Sequence, residues 1–382
     1  MVNRAIAAIF VLLVIALVVP LRAADESDAA AWESLQPPST SGGLFLVPRM
    51  TDIGGRLHLF WSGTDEKVRS PELFHCSRAD GDPNWTDAHA PFFGAAMNKV
   101  RQLEVASSRD VIGIIFQRQM PQGPRALEIL TTFSSDNGWG FSRPFVIDSF
   151  VGPDSKGSCV SIGARDGKSP EFALAWAVDG HALRATSLDF RSFSRPGGAT
   201  VGHHDGTVDK IEIAGAGNDG FMAVFNETNT LRTARVKPLT GGVEPARGVV
   251  KGAFGRSFTA ASRPKGPIRL VTLEQGELVS YEYKDDIWAK QENTRTELGG
   301  NAEVRSDMDD SKSLHLGVLV GNKIYHVTDR GDEWSKPQPV IELDPNLPFS
   351  GFDIAATNDY VYVAAAQNQR LYVKRRKLET LP

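Results

Sequence analysis

The sequence predicts an all-β fold, a β-propeller of seven blades with six as the alternative count. Three observations predict it. Gly, Pro, Asn and Asp punctuate short alternating apolar runs from about residue 43 almost to the end. No later stretch carries a long apolar period of 3.6 residues. The runs also recur as similar units between residues 43 and 377, close to the roughly 40–50 residue period of propeller blades. A unit this small cannot bury both of its faces, and stacking twisted sheets around an axis solves that while leaving only short edges.

The elements follow in chain order. Residues 1–23 read as a secretory signal peptide: a basic start "MVNR", an apolar run from Ala5 to Val19, then Pro20 and the small residues Ala23 and Ala24. The run is shorter than the about 20 residues a membrane span needs; an uncleaved anchor is the alternative. The expected location is secreted or periplasmic, with no membrane contact beyond this segment. Residues 24–42 form a polar linker, and residues 43–382 the propeller domain. Each unit pairs an apolar strand with a turn and a second alternating strand, as in "RLHLFWSG…ELFHCSRADG" and "SLHLGVLVGNKIYHVTDRG". A further strand such as "VRQLEVASS" precedes it, and most units end in a weaker outer strand such as "RPFVID". The last unit lacks that outer strand, and the segment around Trp32–Ser41 is the candidate to supply it.

The chain has 382 residues, 41% of them apolar, and a net charge of −4. No basic excess exists to release counterions, so nucleic acid is excluded as a partner. The two cysteines, Cys76 and Cys159, are too few for a disulfide framework and read as small buried residues.

One turn recurs. "SSDNGWGF", Ser134 to Phe141, aligns with "VTDRGDEW", Val327 to Trp334: Asp136 with Asp329, Gly138 with Gly331, Phe141 with Trp334. Each copy falls between the third and fourth strands of its unit. "SRADGDPNW" from Ser77 is a looser copy, and "YKDDIW" from Tyr283 a degenerate one. The Asp accepts hydrogen bonds from the turn, the Gly supplies a positive φ, and the ring folds between neighbouring sheets. Ser134, Asp136, Gly138, Phe141, Asp329, Gly331 and Trp334 are therefore expected to be structural.

S-x-D-x-G-x-x-aromatic in register with the units resembles the Asp box, or BNR repeat, of the sialidase (neuraminidase) superfamily. The first unit, "LFLVPRMTDIGGRLHLFWSG" and onward, is similar to a sialidase first blade. The resemblance implies an exported glycan-related propeller. Its enzymes carry the first of three substrate-clamping arginines in Tyr/Phe-Arg-Ile-Pro, but here that motif reads Phe45, Leu46, Val47, Pro48. Leu46 cannot make the bidentate carboxylate contact of a guanidinium, and Arg49 would need a register shift to replace it. No equivalent of the nucleophilic Tyr with its Glu partner is found.

The expectation is therefore a non-catalytic module binding a glycan or an extracytoplasmic protein; the alternative is a glycoside hydrolase with Asp65 as its acid. Arg101, Arg256 and Arg305 fall near the starts of first strands, as clamp arginines would. His203, His204 and Asp205 in "GHHDGTVD" are further ligand-binding candidates, set against a solvated turn. No metal or other cofactor is expected. "KRRK", Lys374 to Lys377, reads as protection of a final strand edge.

Overall fold

The computed structural model describes residues 31–378 except 39–46, 65–70, 91–99, 121–125, 152–158, 168, 178–182, 190–198, 203–209, 217–219, 228, 239, 241, 253, 263–266, 292–297, 300–301 and 330–332. The first strand, β1 (Glu33–Leu35), belongs to the last blade. Blade 1 follows with β2 (Arg49–Ile53), β3 (Arg56–Thr64) and β4 (Pro71–Ala79). Blade 2 holds β5 (Val100–Ser108), β6 (Val111–Gln119), β7 (Ala126–Ser134) and β8 (Phe145–Val151). Blade 3 holds β9 (Cys159–Asp166), β10 (Pro170–Ala177), β11 (Leu183–Asp189) and β12 (Ala199–Gly202). Blade 4 holds β13 (Ile211–Ala216), β14 (Gly220–Glu227), β15 (Thr230–Val236) and β16 (Arg247–Lys251). Blade 5 holds β17 (Phe258–Ala261), β18 (Ile268–Glu274), β19 (Glu277–Lys284) and β20 (Ile287–Lys290). Blade 6 holds β21 (Ala302–Met308), β22 (Leu314–Val320), β23 (Lys323–Asp329) and β24 (Gln338–Glu342). Blade 7 holds β25 (Phe349–Ala356), β26 (Tyr360–Gln367) and β27 (Arg370–Lys377).

All pairs within a blade are antiparallel neighbours in chain order, with one exception. β1 pairs with β27, Leu35 opposite Val373, and closes the ring with a strand from the other end of the domain. The expected use of the Trp32–Ser41 segment is met. The "KRRK" expectation is corrected: β27 is paired on both sides, so β1 is the edge. Arg375 instead bonds Glu33 at 2.7 Å and lies 4.4 Å over the Tyr360 ring. The first strands touch in sequence around the axis, and β25 meets β2 to complete the circle.

Alternation in the strands dictates where the core sits. Both faces of each sheet are apolar, so the core is seven layers, each shared by two neighbouring blades. Phe172 and Ile115, for example, meet between blades 2 and 3, and Phe352 and Ile324 between blades 6 and 7. Each fully buried Phe, Leu or Ile there contributes about 1.5–3 kcal/mol, which makes these layers the main adhesive between blades. Cys76 and Cys159 are both buried, and neither forms a disulfide. No helix among the described residues is long and apolar enough to cross a membrane.

The recurring turns lie at equivalent places, joining β7 to β8 and β23 to β24. Ser134 Oγ donates to Asp136 Oδ1 at 2.7 Å, Gly138 N to Ser134 Oγ at 2.9 Å and Gly140 N to Asp136 Oδ1 at 2.9 Å. Gly138 takes φ +81°. Phe141 then packs edge-on against Phe60 of blade 1. Trp334 is buried among Val271 and Leu273 of blade 5, and Asp329 accepts from Arg269 of that blade at 3.1 Å. In both turns the ring docks on the preceding blade. Gly331 lies outside the described residues. "YKDDIW" is corrected: Asp285 and Asp286 both take positive φ, with Lys284 opposite Ile287. That is a two-residue hairpin of the kind strand twist favours.

Candidate functional site in the central channel

The innermost strand of every blade has a free edge toward the axis, and its backbone groups need partners. Side chains of neighbouring first strands supply them. Asp353 accepts from Met50 N at 2.8 Å, joining blades 7 and 1. Ser107 Oγ donates to Asp52 O, and Val160 N to Gln102 Oε1. Ile213 N donates to Ser161 Oγ, and Ala356 N to Asp307 Oδ2. Ser257 Oγ donates to Ala302 O, and Lys210 Nζ to Phe258 O at 2.7 Å. These bonds bridge every pair of neighbouring blades. Between blades 3 and 4 the strands come so close that only glycine fits: a Cβ on Gly163 would stand 2.7 Å from Ile213 O.

The belt encloses a channel of about 180 Å³, below the about 300–1,000 Å³ of small-molecule pockets. Toward the starts of the first strands its polar groups become ionic. Arg49, the first residue of β2, forms a fork to Glu104: Nε to Oε2 and Nη2 to Oε1, both 2.7 Å. Its Nη1 donates to Pro48 O and Phe352 O. Arg305 reaches the same carboxylate from blade 6 at 3.2 Å. Glu303 lies 3.7 Å from Arg305, which lines the channel, and 3.3 Å from the exposed Arg256. Lys210 is saturated by Glu212 at 2.7 Å and by the Phe258 and Val304 carbonyls.

Burial and charge set the ionisation. Burial disfavours ionised Glu104, but Arg305 and Arg49 outweigh it and hold its pKa down to about 2. Burial also acts against Glu303, and Arg305, Arg256 and Lys210 reverse it, so its pKa falls. Burial lowers the pKa of Lys210 against the pull of Glu212. Asp353 goes the other way. Its burial dominates, and the nearby Glu104 charge adds to it against Arg49 and Arg305, raising its pKa to about 6. Two carboxyl groups of one channel thus differ in pKa, and between about pH 2 and 6 one is protonated while the other is ionised, a pattern that can separate an acid from a base.

Of the sequence candidates, the structure links Arg256 and Arg305 through Glu303. Arg101 sits at an irregularity of the β5–β6 register, between Val100 and Gln102; its side chain lies outside the described residues, as do Asp65, His203, His204 and Asp205. Among the described residues no group of His, Cys, Asp and Glu is arranged to hold a metal. Sequence reasoning missed Glu104, Asp353, Lys210 and Glu212, and set Arg49 aside. Their common signal is a charged residue in an otherwise apolar first strand: "RMTDI", "QLEVASS", "FDIAA".

No protein-family model matches the chain, and no curated protein matches it. Solved structures do. YCF48 from Cyanidioschyzon merolae superposes with a TM-score of 0.51 at 13% identity, over 91% of this chain and 99% of that one. An α-L-arabinanase of Penicillium chrysogenum, solved with arabinobiose, gives 0.51 at 12% identity over 91% and 100%. The lectin SapL1, solved with α-methyl fucoside, gives 0.50 at 13% identity over 78% and 97%. What they share with this chain is the fold. Lectin and arabinanase propellers are thus among the structures this β-propeller resembles in fold.

Proposed function

We propose that the chain is an exported, non-catalytic propeller that binds glycans. One observation carries the reading: Glu104 occupies both buried channel arginines. A clamp for a substrate carboxylate needs guanidiniums free to fork onto it, and here the chain's own carboxylate takes that place. Arg49 and Arg305 also face Asp52, Glu104, Glu212, Asp307 and Asp353 along the channel, so a second anion would meet net repulsion. The ligand class is therefore neutral sugar, engaged at the channel mouth by the exposed Arg256 guanidinium, with the mostly buried Glu303 carboxylate beside it.

A glycan array probed with the purified mature chain tests this. The expected result is retention of neutral glycans, weakened in Arg256→Ala, with no hydrolysis of a chromogenic glycoside panel. Export by residues 1–23 is checked by cell fractionation and N-terminal sequencing of the mature protein.

A second reading is a glycoside hydrolase, favoured by the split between Asp353 and Glu104. Glycoside hydrolysis uses one protonated and one ionised carboxyl flanking the bond, and these two meet that condition below about pH 6. Turnover abolished by Asp353→Asn would establish it.

A further inference from the structure

The turn at Ser134–Phe141 holds one residue that fastening does not use. Trp139 is 75% exposed, although its neighbours on both sides are pinned through Gly138 N and Gly140 N. With the backbone on both sides fixed, the ring has only its own side-chain torsions to order on binding, which keeps the entropic cost of using it as a platform small. It borders a pocket of about 370 Å³ on the flank of the ring, where the turn of blade 2 meets the outer strand of blade 1. His75, His89, Asp87, Thr86 and Asn137 line the rest.

Two polar atoms at this pocket have no partner. His75 is 2% exposed; its Nε2 bonds His58 Nδ1 at 3.0 Å, and its Nδ1 is buried and unbonded. His89 Nε2 is likewise buried and unbonded. A buried nitrogen left without a bond costs about 1–3 kcal/mol, so a small rotation of either imidazole that brought its free nitrogen to a ligand hydroxyl in the pocket would recover that penalty. Burial keeps His75 neutral, with the nearby His58 and His89 acting the same way. A neutral imidazole pair leaves His75 Nδ1 either a donor or an acceptor, depending on which ring gives the shared proton. A hydroxyl fits either case, because it donates and accepts. Asp87 on the same rim disfavours an anion.

We propose that this flank pocket is a binding subsite for a neutral sugar ring, stacked on the Trp139 indole with its hydroxyls bonded to His75 Nδ1 and His89 Nε2. It is separate from the channel mouth, and it rests on the carbohydrate-binding reading above. A pocket of about 400 Å³ between blades 4 and 5 differs, since Arg235, Tyr283 and Asp286 there already bond one another.

The test is fluorine NMR of the full mature chain labelled with 5-fluorotryptophan, the Trp139 signal being assigned with Trp139→Phe. The probes are the methyl glycosides of glucose, galactose, mannose, fucose and N-acetylglucosamine. The expected result is a saturable shift of the Trp139 signal with at least one probe. Saturation-transfer titration of the same probe should weaken about tenfold in Trp139→Ala, a surface change that leaves the core intact. No shift with any probe would overturn the subsite. Sugar binding that persists unchanged in Trp139→Ala but falls in Arg256→Ala would overturn it too, while leaving the channel-mouth reading standing. Loss of sugar binding at both places would sink both.

Discussion

Replacing Glu104 by alanine removes the carboxylate that Arg49 and Arg305 share. The side chains of these arginines are 5% and 14% exposed, so little water can take its place. Two routes give the cost. Breaking a buried ion pair by deleting one partner costs about 3–5 kcal/mol. Independently, the pKa of Glu104 falls from 4.5 to about 2, and at about 1.4 kcal/mol for each pH unit that is about 3 kcal/mol. The routes agree. The sign follows from linkage: the folded-state pKa lies below the unfolded value, so the stabilisation is present above about pH 4.5 and fades as the pH falls toward 2. Urea unfolding of wild type, Glu104→Ala and Glu104→Gln at a series of pH values measures it. The account expects a loss of about 3 kcal/mol at neutral pH, with the gap closing in acid. A loss below about 1 kcal/mol that ignores pH would refute the idea that the arginines depend on this carboxylate.

Other outcomes follow from the same structure. Acetate should partly restore Glu104→Ala, because the freed guanidiniums form a carboxylate site; thermal melts with acetate against chloride read this. Asp353→Asn should raise stability at pH 7 by up to about 3 kcal/mol, since a folded pKa of about 6 against 3.8 means stability is lost as pH rises through that window. Its gain should vanish below about pH 4 in the same urea series. His58 is held neutral by burial and by Arg56, with its pKa lowered from 6.5 to about 4. Its contribution should therefore decline as the pH falls from about 6.5 toward 4, opposite in sign to that of Asp353, and calorimetry of His58→Phe should show less loss of stability over that window than wild type. Gly163→Ala should be severely destabilising, because its methyl would meet backbone rather than a movable side chain; chemical denaturation of the variant checks it.

What the sequence disclosed and what it hid have a common physical origin. Strand alternation and turn chemistry are local, so blades, their number and the Ser134–Asp136–Gly138 turn were legible from residues a few positions apart. Closure by β1 was legible too, because a missing fourth strand is a deficit that the chain must fill. The channel network was not. Glu104 meets Arg49 across 55 residues and Arg305 across 201, and Arg49 reaches Phe352 O across 303. No spacing rule links such positions. In "QLEVASS" the glutamate also looks like the solvent side of an ordinary strand, since period-two alternation cannot tell a channel from bulk water. Arg49 was set aside because the motif comparison drew attention to Leu46. In the folded chain Arg49 needs no register shift to enter the channel, because it opens the innermost strand.

The most direct measurement is to incubate the mature chain with a glycan it retains and then analyse both partners. The account predicts saturable binding by calorimetry and recovery of the glycan intact by mass spectrometry, however long the incubation. Appearance of shorter sugars or of a free reducing end, abolished in Asp353→Asn, would contradict it and make the channel an active site.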